Sequence, residues 1–483
     1  KKLSSLKKKI IIEGGFPQSL LLWVLTISSE YCKNKNIKKI ILEKKNEKIL
    51  KNKFIEDQLK NFKIIFLEDL LPFYLKNNFF LYFILIPKSF LFSLYWKKIN
   101  LKNLNWEQYQ FFHSIIDTQQ SLSNDGVINP SYYITLKSIY LNFKKKKIAQ
   151  YLIRFNIGAL ITSHNVYTVK TFNSIFRKNN IPVFCHAAFN LYKLPKNKDE
   201  NWNNLLNIKL RNEINYKLRT KKINSYWKKK FIGKGDYFDS NLSYKKKISN
   251  SKIKNIVMLH IFRDSPFINL DKKRIFLNYI NWVDETINII KNSNKIWHFK
   301  IHPNSKRWGE NPIIFLEKLI KKHNAKNVRI LKEGNIGLMK NLKKVVTFSG
   351  SVTEEAISLG IKPIIISNTP IYIYDKSTVL KPKNLNEYAK MLNSSDLKKF
   401  KSTEYQKKMA KKFIYCNEKI MSLRKDINAI FLYRNEQKKK KKDYLMVNRY
   451  LKKNLLFLKK NGFMLSKGHS HTLSREGINL INQ

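Results

Sequence analysis

Apolar positions fall along this chain in two rhythms. Short apolar runs rich in β-branched residues alternate with longer stretches in which apolar residues recur every three or four positions. In the first half the runs at 10–12, 37–43, 62–67, 159–162 and 182–186 predict strands, and 18–30 and 169–179 predict helices. A second series opens at 255–260 and continues with strands at 297–301, 328–331, 345–348 and 363–366, separated by helices at 276–291 and 312–323. Strands alternating with helices imply parallel sheets covered on both faces, hence an α/β chain with two Rossmann-like halves. A Lys- and Asn-rich region at 196–252, weak in apolar periodicity, marks the boundary. The expected domains are therefore 1–250 and 251–435. They are followed by a basic arm at 436–483, helical or loosely ordered, that combines Lys438 to Lys442 with Leu451, Leu455, Leu456 and Leu458.

One stretch departs from both rhythms. Residues 79–96 are apolar nearly all round, but Pro87 and Lys88 sit at their middle and the uninterrupted part is too short to span a bilayer, which takes about 20 apolar residues. A buried helix pair is the favoured reading, and a helix lying in a membrane interface is the alternative. The start of the chain imitates a secretory signal only superficially. Glu13, Gly14, Gly15 and Pro17 interrupt the apolar run, and a strand, a glycine turn and a helix account for it better.

The chain has 483 residues, with 94 Lys plus Arg against 34 Asp plus Glu, a formal charge of +60. With 43% hydrophobic residues it is too apolar for a disordered basic tail protein. Such charge points to nucleic acid, an anionic membrane surface or a phosphorylated substrate. The lysines, however, are dispersed among an excess of Asn and Ile, as AT-rich codon use produces, and no nucleic-acid-binding signature accompanies them. No specific nucleic acid is expected. Cys32, Cys185 and Cys416 lack any paired spacing, so neither a disulfide framework nor a metal site is expected, and a reducing cytoplasm fits.

Candidate chemistry lies at strand ends of the second half. After the strand at 345–348 comes Ser349-Gly350-Ser351, then a helix from Val352 that Gly360 closes, a turn suited to an anion such as phosphate. Ser351 and Glu354 also have capping-box spacing, which needs no ligand. In Trp297-His298-Phe299-Lys300-Ile301-His302-Pro303, His302 falls at the carboxyl end of a strand, where open parallel sheets bind ligands, and Lys300, Lys306 and Arg307 add positive potential. His298 reads as a packed residue. His260, Arg263 and Asp264 stand at a third strand end and converge on the same edge. No G-x-G-x-x-G follows the first strand, which disfavours a nicotinamide enzyme.

The ordered segments LHIFRDSPF, FLNYINWVDETI, WHFKIHPNSKRWGE and VVTFSGSVTEEAISLGIKPII resemble bacterial capsule and surface-polysaccharide biosynthesis glycosyltransferases, GT-B enzymes akin to the Kdo transferases. The resemblance covers 255–366, under a quarter of the chain. It implies two Rossmann-like domains facing a cleft and a nucleotide sugar as donor substrate, with no cofactor. The acceptor it implies is a polysaccharide or lipid-linked glycan, met at the inner face of the cell membrane. It further implies that His302, Ser349 and Ser351 contact the donor phosphate and that Glu355 holds the donor ribose. Thr353 stands where relatives commonly have Gly. For a base on the acceptor, the candidates are Glu13, Asp117 and Asp125, with Ser163, His164 and Tyr167 as further acceptor-side residues; for the carboxylates the favoured reading is structural, with Asp125-Gly126 a turn and Glu13 a loop residue. A polyol-phosphate phosphotransferase and a basic nucleic-acid-binding protein are the competing functions.

Overall fold

A computed structural model describes residues 8–13, 18–51, 53–95, 103–123, 131–187, 190–194, 208–231, 253–264, 275–276, 278–332, 334, 336–339, 341–421, 457 and 473–482. Lys438 to Lys442 and Asp125 lie outside the described residues. The chain divides into two compact units. One comprises the described residues of 1–115, 136–199 and 417–483, the other those of 116–135 and 200–416. The helices Ile208–Lys217 and Thr220–Phe231 therefore group with the second unit, and the short terminal helix Arg475–Asn482 with the first.

In the first unit, β1 (Lys9–Ile12), β2 (Lys39–Leu42) and β3 (Lys63–Phe66) are each a lysine followed by three apolar residues. In β1 and β2 the three apolar positions are buried in succession, the signature of a strand covered on both faces. With β4 (Ile157–Thr162), β5 (Val183–Ala187) and β6 (Asn190–Lys193) they form a sheet in the order β3-β2-β1-β4-β5-β6, parallel except for β6. The two long helices Trp106–Leu122 and Tyr132–Leu152, which the apolar pattern did not single out, run between β3 and β4.

The second unit carries β7 (Asn255–Met258), β8 (Trp297–Lys300), β9 (Val328–Leu331), β10 (Lys344–Thr347) and β11 (Ile364–Ile365) in the order β11-β10-β7-β8-β9, all parallel. Counted within each unit, the second sheet runs 3-2-1-4-5 and the first the same with an antiparallel sixth strand at its edge, the Rossmann order, and each has its switch point beside its first strand. The chain is an α/β protein with two Rossmann-like sheets.

The abundant asparagines do local work as caps. Asn278 accepts from the backbone of Ile280 and Asn281 at the start of helix Tyr279–Ile290, and Asn311 accepts from Ile314 ahead of Pro312–His323. Asn324 ends that helix in the left-handed region. The core of the second unit closes around a hydrogen-bonded ring of buried side chains. Trp282 Nε1 donates to Tyr388 Oη at 2.9 Å, Tyr388 pairs with Thr286 Oγ1 at 2.8 Å, and Thr286 donates back to the Trp282 carbonyl at 2.5 Å. Each polar atom in this dry cluster has a partner, so it adds specificity without an unsatisfied group. Tyr388→Phe should therefore strand the indole N–H and lower unfolding free energy by about 1–3 kcal/mol in chemical denaturation, with unchanged secondary structure; a neutral substitution would show the ring to be dispensable.

Candidate functional site

Parallel register brings three strand ends of the second unit abreast: Thr347 of β10 pairs with Met258 of β7, which pairs with Lys300 of β8. Beyond these residues lies a cavity of about 270 Å³ at the β7/β10 switch point. His260, Lys300, His302, Ser349, Ser351 and Glu355 all line it, so six of the eight residues expected to bind a donor share one wall system.

Each is placed by local chemistry. Leu259 N–H donates to the Lys300 carbonyl at 3.0 Å, which carries the ladder one step past β7 and leaves His260 at the rim. The His260 ring stacks on Tyr279 at 4.7 Å and lies 5.8 Å from the His302 ring. Pro303 ends the ladder after β8, and the chain turns back so that Asn304 N–H donates to His302 Nδ1 at 3.1 Å. That contact puts the proton of the neutral ring on Nε2 and makes His302 a directed donor. Burial above all, with His260 and Lys300 nearby, pushes His302 down to about 3, and burial likewise lowers His260. Both rings are uncharged near neutral pH.

Lys300 supplies the cation. Its side chain is buried and its ammonium donates to the Ile301 carbonyl at 2.8 Å. At the turn after β10, the Thr347 hydroxyl donates to the Ser349 carbonyl and Gly350 takes φ +110°, a conformation that favours glycine. The capping box does not form: the Ser351 side chain makes no cap hydrogen bond, and Glu354 is buried below the turn. Burial pushes Glu354 up to about 8. Glu355 reaches the cavity, its carboxyl raised by burial while Lys230 opposes the shift at 3.6 Å. Lys230, on the helix Thr220–Phe231, and Tyr279 carried no signal in sequence because each reaches its partner only across the fold. Thr353 is buried, and its hydroxyl has no partner among the described residues.

Arg263 and Asp264 do not line the cavity. The Arg263 guanidinium donates to the Ser121 carbonyl at 2.9 and 3.3 Å and to the Trp308 carbonyl at 3.0 Å, while its backbone N–H donates to Glu310 Oε1. These bonds join three segments, so Arg263 serves the structure here and lies outside the cavity lining. Lys306 is exposed on the short helix Ser305–Trp308.

In the first unit, Glu13 follows β1 at the switch point beside β4. It is buried, and its Oε2 accepts from the Ser163 hydroxyl at 2.9 Å and from the Ser163 N–H at 3.3 Å. The same hydroxyl lies 2.6 Å from His164 Nδ1, whose ring meets Tyr167 at 5.7 Å. Glu13 also lines a cavity of about 400 Å³ together with Glu43, Glu68, Lys76, Lys144 and Lys145, so an acidic and a basic group of side chains share its walls. Asp117, by contrast, is fully buried within the helix Trp106–Leu122 and lines neither cavity.

No protein-family model matches the sequence, and no curated protein matches it. Among solved structures, a glycosyltransferase from Rickettsia africae ESF-5 aligns at 12% identity over 94% of this chain and 98% of its own, with a TM-score of 0.26. A UDP-N-acetylglucosamine 2-epimerase from Rickettsia bellii aligns at 12% identity over 90% and 100%, TM-score 0.27. The UDP-GlcNAc 2-epimerase of Methanocaldococcus jannaschii, complexed with UDP-GlcNAc and UDP, aligns at 14% identity over 84% and 98%, TM-score 0.26. Likenesses of this size carry no argument about activity, and the two Rossmann-like sheets rest on their own strand order.

The neutral histidines make stability depend on pH in a defined direction. His302 is held near 3 and the buried His186 near 4, against 6.5 in an unfolded chain. Between these values the unfolded state binds more protons, so stability is present above about 6.5 and is lost as pH falls toward 4. Burial raises Glu354 to about 8, which opposes the histidines over the same range, so the test is a difference: from pH 7 to 4.5 chemical denaturation should show wild type losing stability relative to His302→Gln, and parallel curves would place His302 in a solvated, ordinary environment.

Proposed function

We propose that the chain is a GT-B-type glycosyltransferase that transfers a sugar from a nucleotide donor to a surface-polysaccharide or lipid-linked glycan acceptor. The observation that carries this reading is the convergence of His302, Lys300, Ser349 and Ser351 on one cavity at a sheet switch point. The sequence resemblance at 255–366 supports it independently.

In such a transfer, negative charge grows on the departing nucleotide diphosphate as the glycosidic carbon–oxygen bond breaks. Preorganised donors lower that barrier because they need no reorientation during reaction. Lys300 supplies a charge, the His302 Nε2–H a directed neutral donor, and Ser349 and Ser351 hydroxyl donors. Glu355, steadied by Lys230, is the group for the donor ribose. Of the two described carboxylates considered as bases, Glu13 is favoured over the fully buried Asp117 by its position at a strand end and in a cavity wall, with its second oxygen free of the Ser163 contacts.

Thermal shift with CMP, CDP, UDP and GDP identifies the donor, since a ligand bound only by the native state raises its stability. With that nucleotide sugar, His302→Ala should lower kcat by about 10²–10³-fold and keep the fold intact. Near wild-type turnover would remove the donor-site assignment. Glu13→Gln should lower transfer while leaving nucleotide stabilisation unchanged, and a variant that still transfers at the normal rate would exclude Glu13 as the base. Conversion of the nucleotide sugar to its 2-epimer without an acceptor would replace transfer by isomerisation.

A further inference from the structure

The helix Asn78–Tyr95 is built inside out. The stripe it buries is Leu81, Leu85, Ser89 and Ser93, spaced four apart, with both serines turned inward. Their hydroxyls are satisfied locally, Ser89 on the Leu85 carbonyl and Ser93 on the Phe90 carbonyl, each at 2.6 Å. Facing outward are large apolar groups: Phe79 is 63% exposed, Phe83 66%, Leu91 59% and Tyr95 64%, and Phe80, Tyr82, Ile84, Ile86, Phe90 and Leu94 are exposed with them. The preceding turn Phe73–Lys76 extends the surface, with Phe73 exposed and its ring 5.5 Å from that of Phe80; Phe79 in turn meets Phe83 at 4.8 Å. The favoured expectation of a buried helix pair is thus overturned, since only the narrow stripe is covered.

Side chains of this size, about half exposed, amount to an apolar surface on the order of 1,000 Å², against the few hundred that a monomer ordinarily leaves in water. Such a surface calls for an occupant, and its charge selects one. From 70 to 106 the chain has no Asp or Glu, while Lys76, Lys88, Lys97, Lys98 and Lys102 punctuate it. Phe and Leu beside Tyr, Trp and Lys, without an acid, match the headgroup and upper acyl region of an anionic bilayer, where rings bury and ammonium groups meet phosphate. A second copy of the chain fits poorly, because a two-fold contact would set these lysines against their own kind with no carboxylate in the segment to pair them. Spanning is excluded for this helix: no helix of the described residues is long and apolar enough to cross a membrane.

From these features we infer that the surface formed by 73–95 seats the protein on anionic lipid as an in-plane helix. The inference stands apart from the donor-site assignment, because it uses no residue of that cavity, while Lys76 also lines the cavity that holds Glu13. Flotation of the full chain with phosphatidylcholine vesicles, with and without phosphatidylglycerol, tests it. Wild type should float with the anionic vesicles, weakly with the neutral ones, and less as salt rises. Phe79→Ser, Phe83→Ser and Leu91→Ser combined should cut the bound fraction by about tenfold or more, since burial of each side chain is lost. These positions face outward, so an unchanged circular dichroism spectrum and unchanged nucleotide stabilisation should accompany the loss. A variant that floats like wild type would overturn the inference. So would a wild type that ignores vesicles but sediments as a dimer that the triple variant abolishes, which would assign the surface to a second copy.

Discussion

The parallel register of β10, β7 and β8 is the constraint on which the candidate site depends. Thr347, Met258 and Lys300 stand side by side because backbone hydrogen bonds align them. A slip of one residue would turn every side chain to the opposite face and scatter the groups that follow. Apolar residues buried on both faces make such a slip costly: Ile256, Val257, Phe299, Val345 and Val346 are almost wholly removed from water. The chemistry at the rim is therefore positioned by a hydrophobic core that takes no part in it.

Within that frame, polar groups divide into those spent on structure and those left for a ligand. Arg263 is spent on carbonyls of two other segments, and Glu310 on the Arg263 backbone. Lys344, buried at the start of β10, is spent too: its ammonium donates to the carbonyls of Leu392 and Ser394, both at 2.6 Å, and so caps the helix Leu385–Asn393. His302 and the two serines line the cavity, and Lys300 lines it as well while its ammonium donates to the Ile301 carbonyl. The division follows distance from the strand ends, where loops must supply their own partners.

Much of this was legible in the sequence, and the reason is periodicity. Short apolar runs such as Ile256 to Met258 and Val345 to Val346, and the alternation of Trp297, Phe299 and Ile301, make 255–258, 297–300, 328–331 and 344–347 stand out, and with them the loops that carry His260, His302 and Ser349. Three kinds of information were not there. The role of Arg263 depended on the Ser121 and Trp308 carbonyls, remote in sequence. Asp117 heads a mostly polar run, Thr118 to Asn124, which hides the helix Trp106–Leu122 that tertiary packing extends through it. A helix apolar all round gives no clue to which side is covered, so 79–96 could be assigned to a core although most of it faces outward. Likewise the cap spacing of Ser351 and Glu354 is only a possibility in sequence, and burial of Glu354 decides against it.

The two inward serines of the helix Asn78–Tyr95 have a geometric consequence. Helix axes approach according to the side chains at the contact, and small residues bring them toward the near end of the range of about 8–10 Å. Ser89 and Ser93 add little bulk to the buried stripe, and Phe92 packs its ring against Phe111 and Phe143. What stands proud is then little more than one layer of rings, and the domain surface beneath acts as a stop. Anything that meets those rings can take them in only to that depth, which favours a contact readily made and readily released over a permanent anchor.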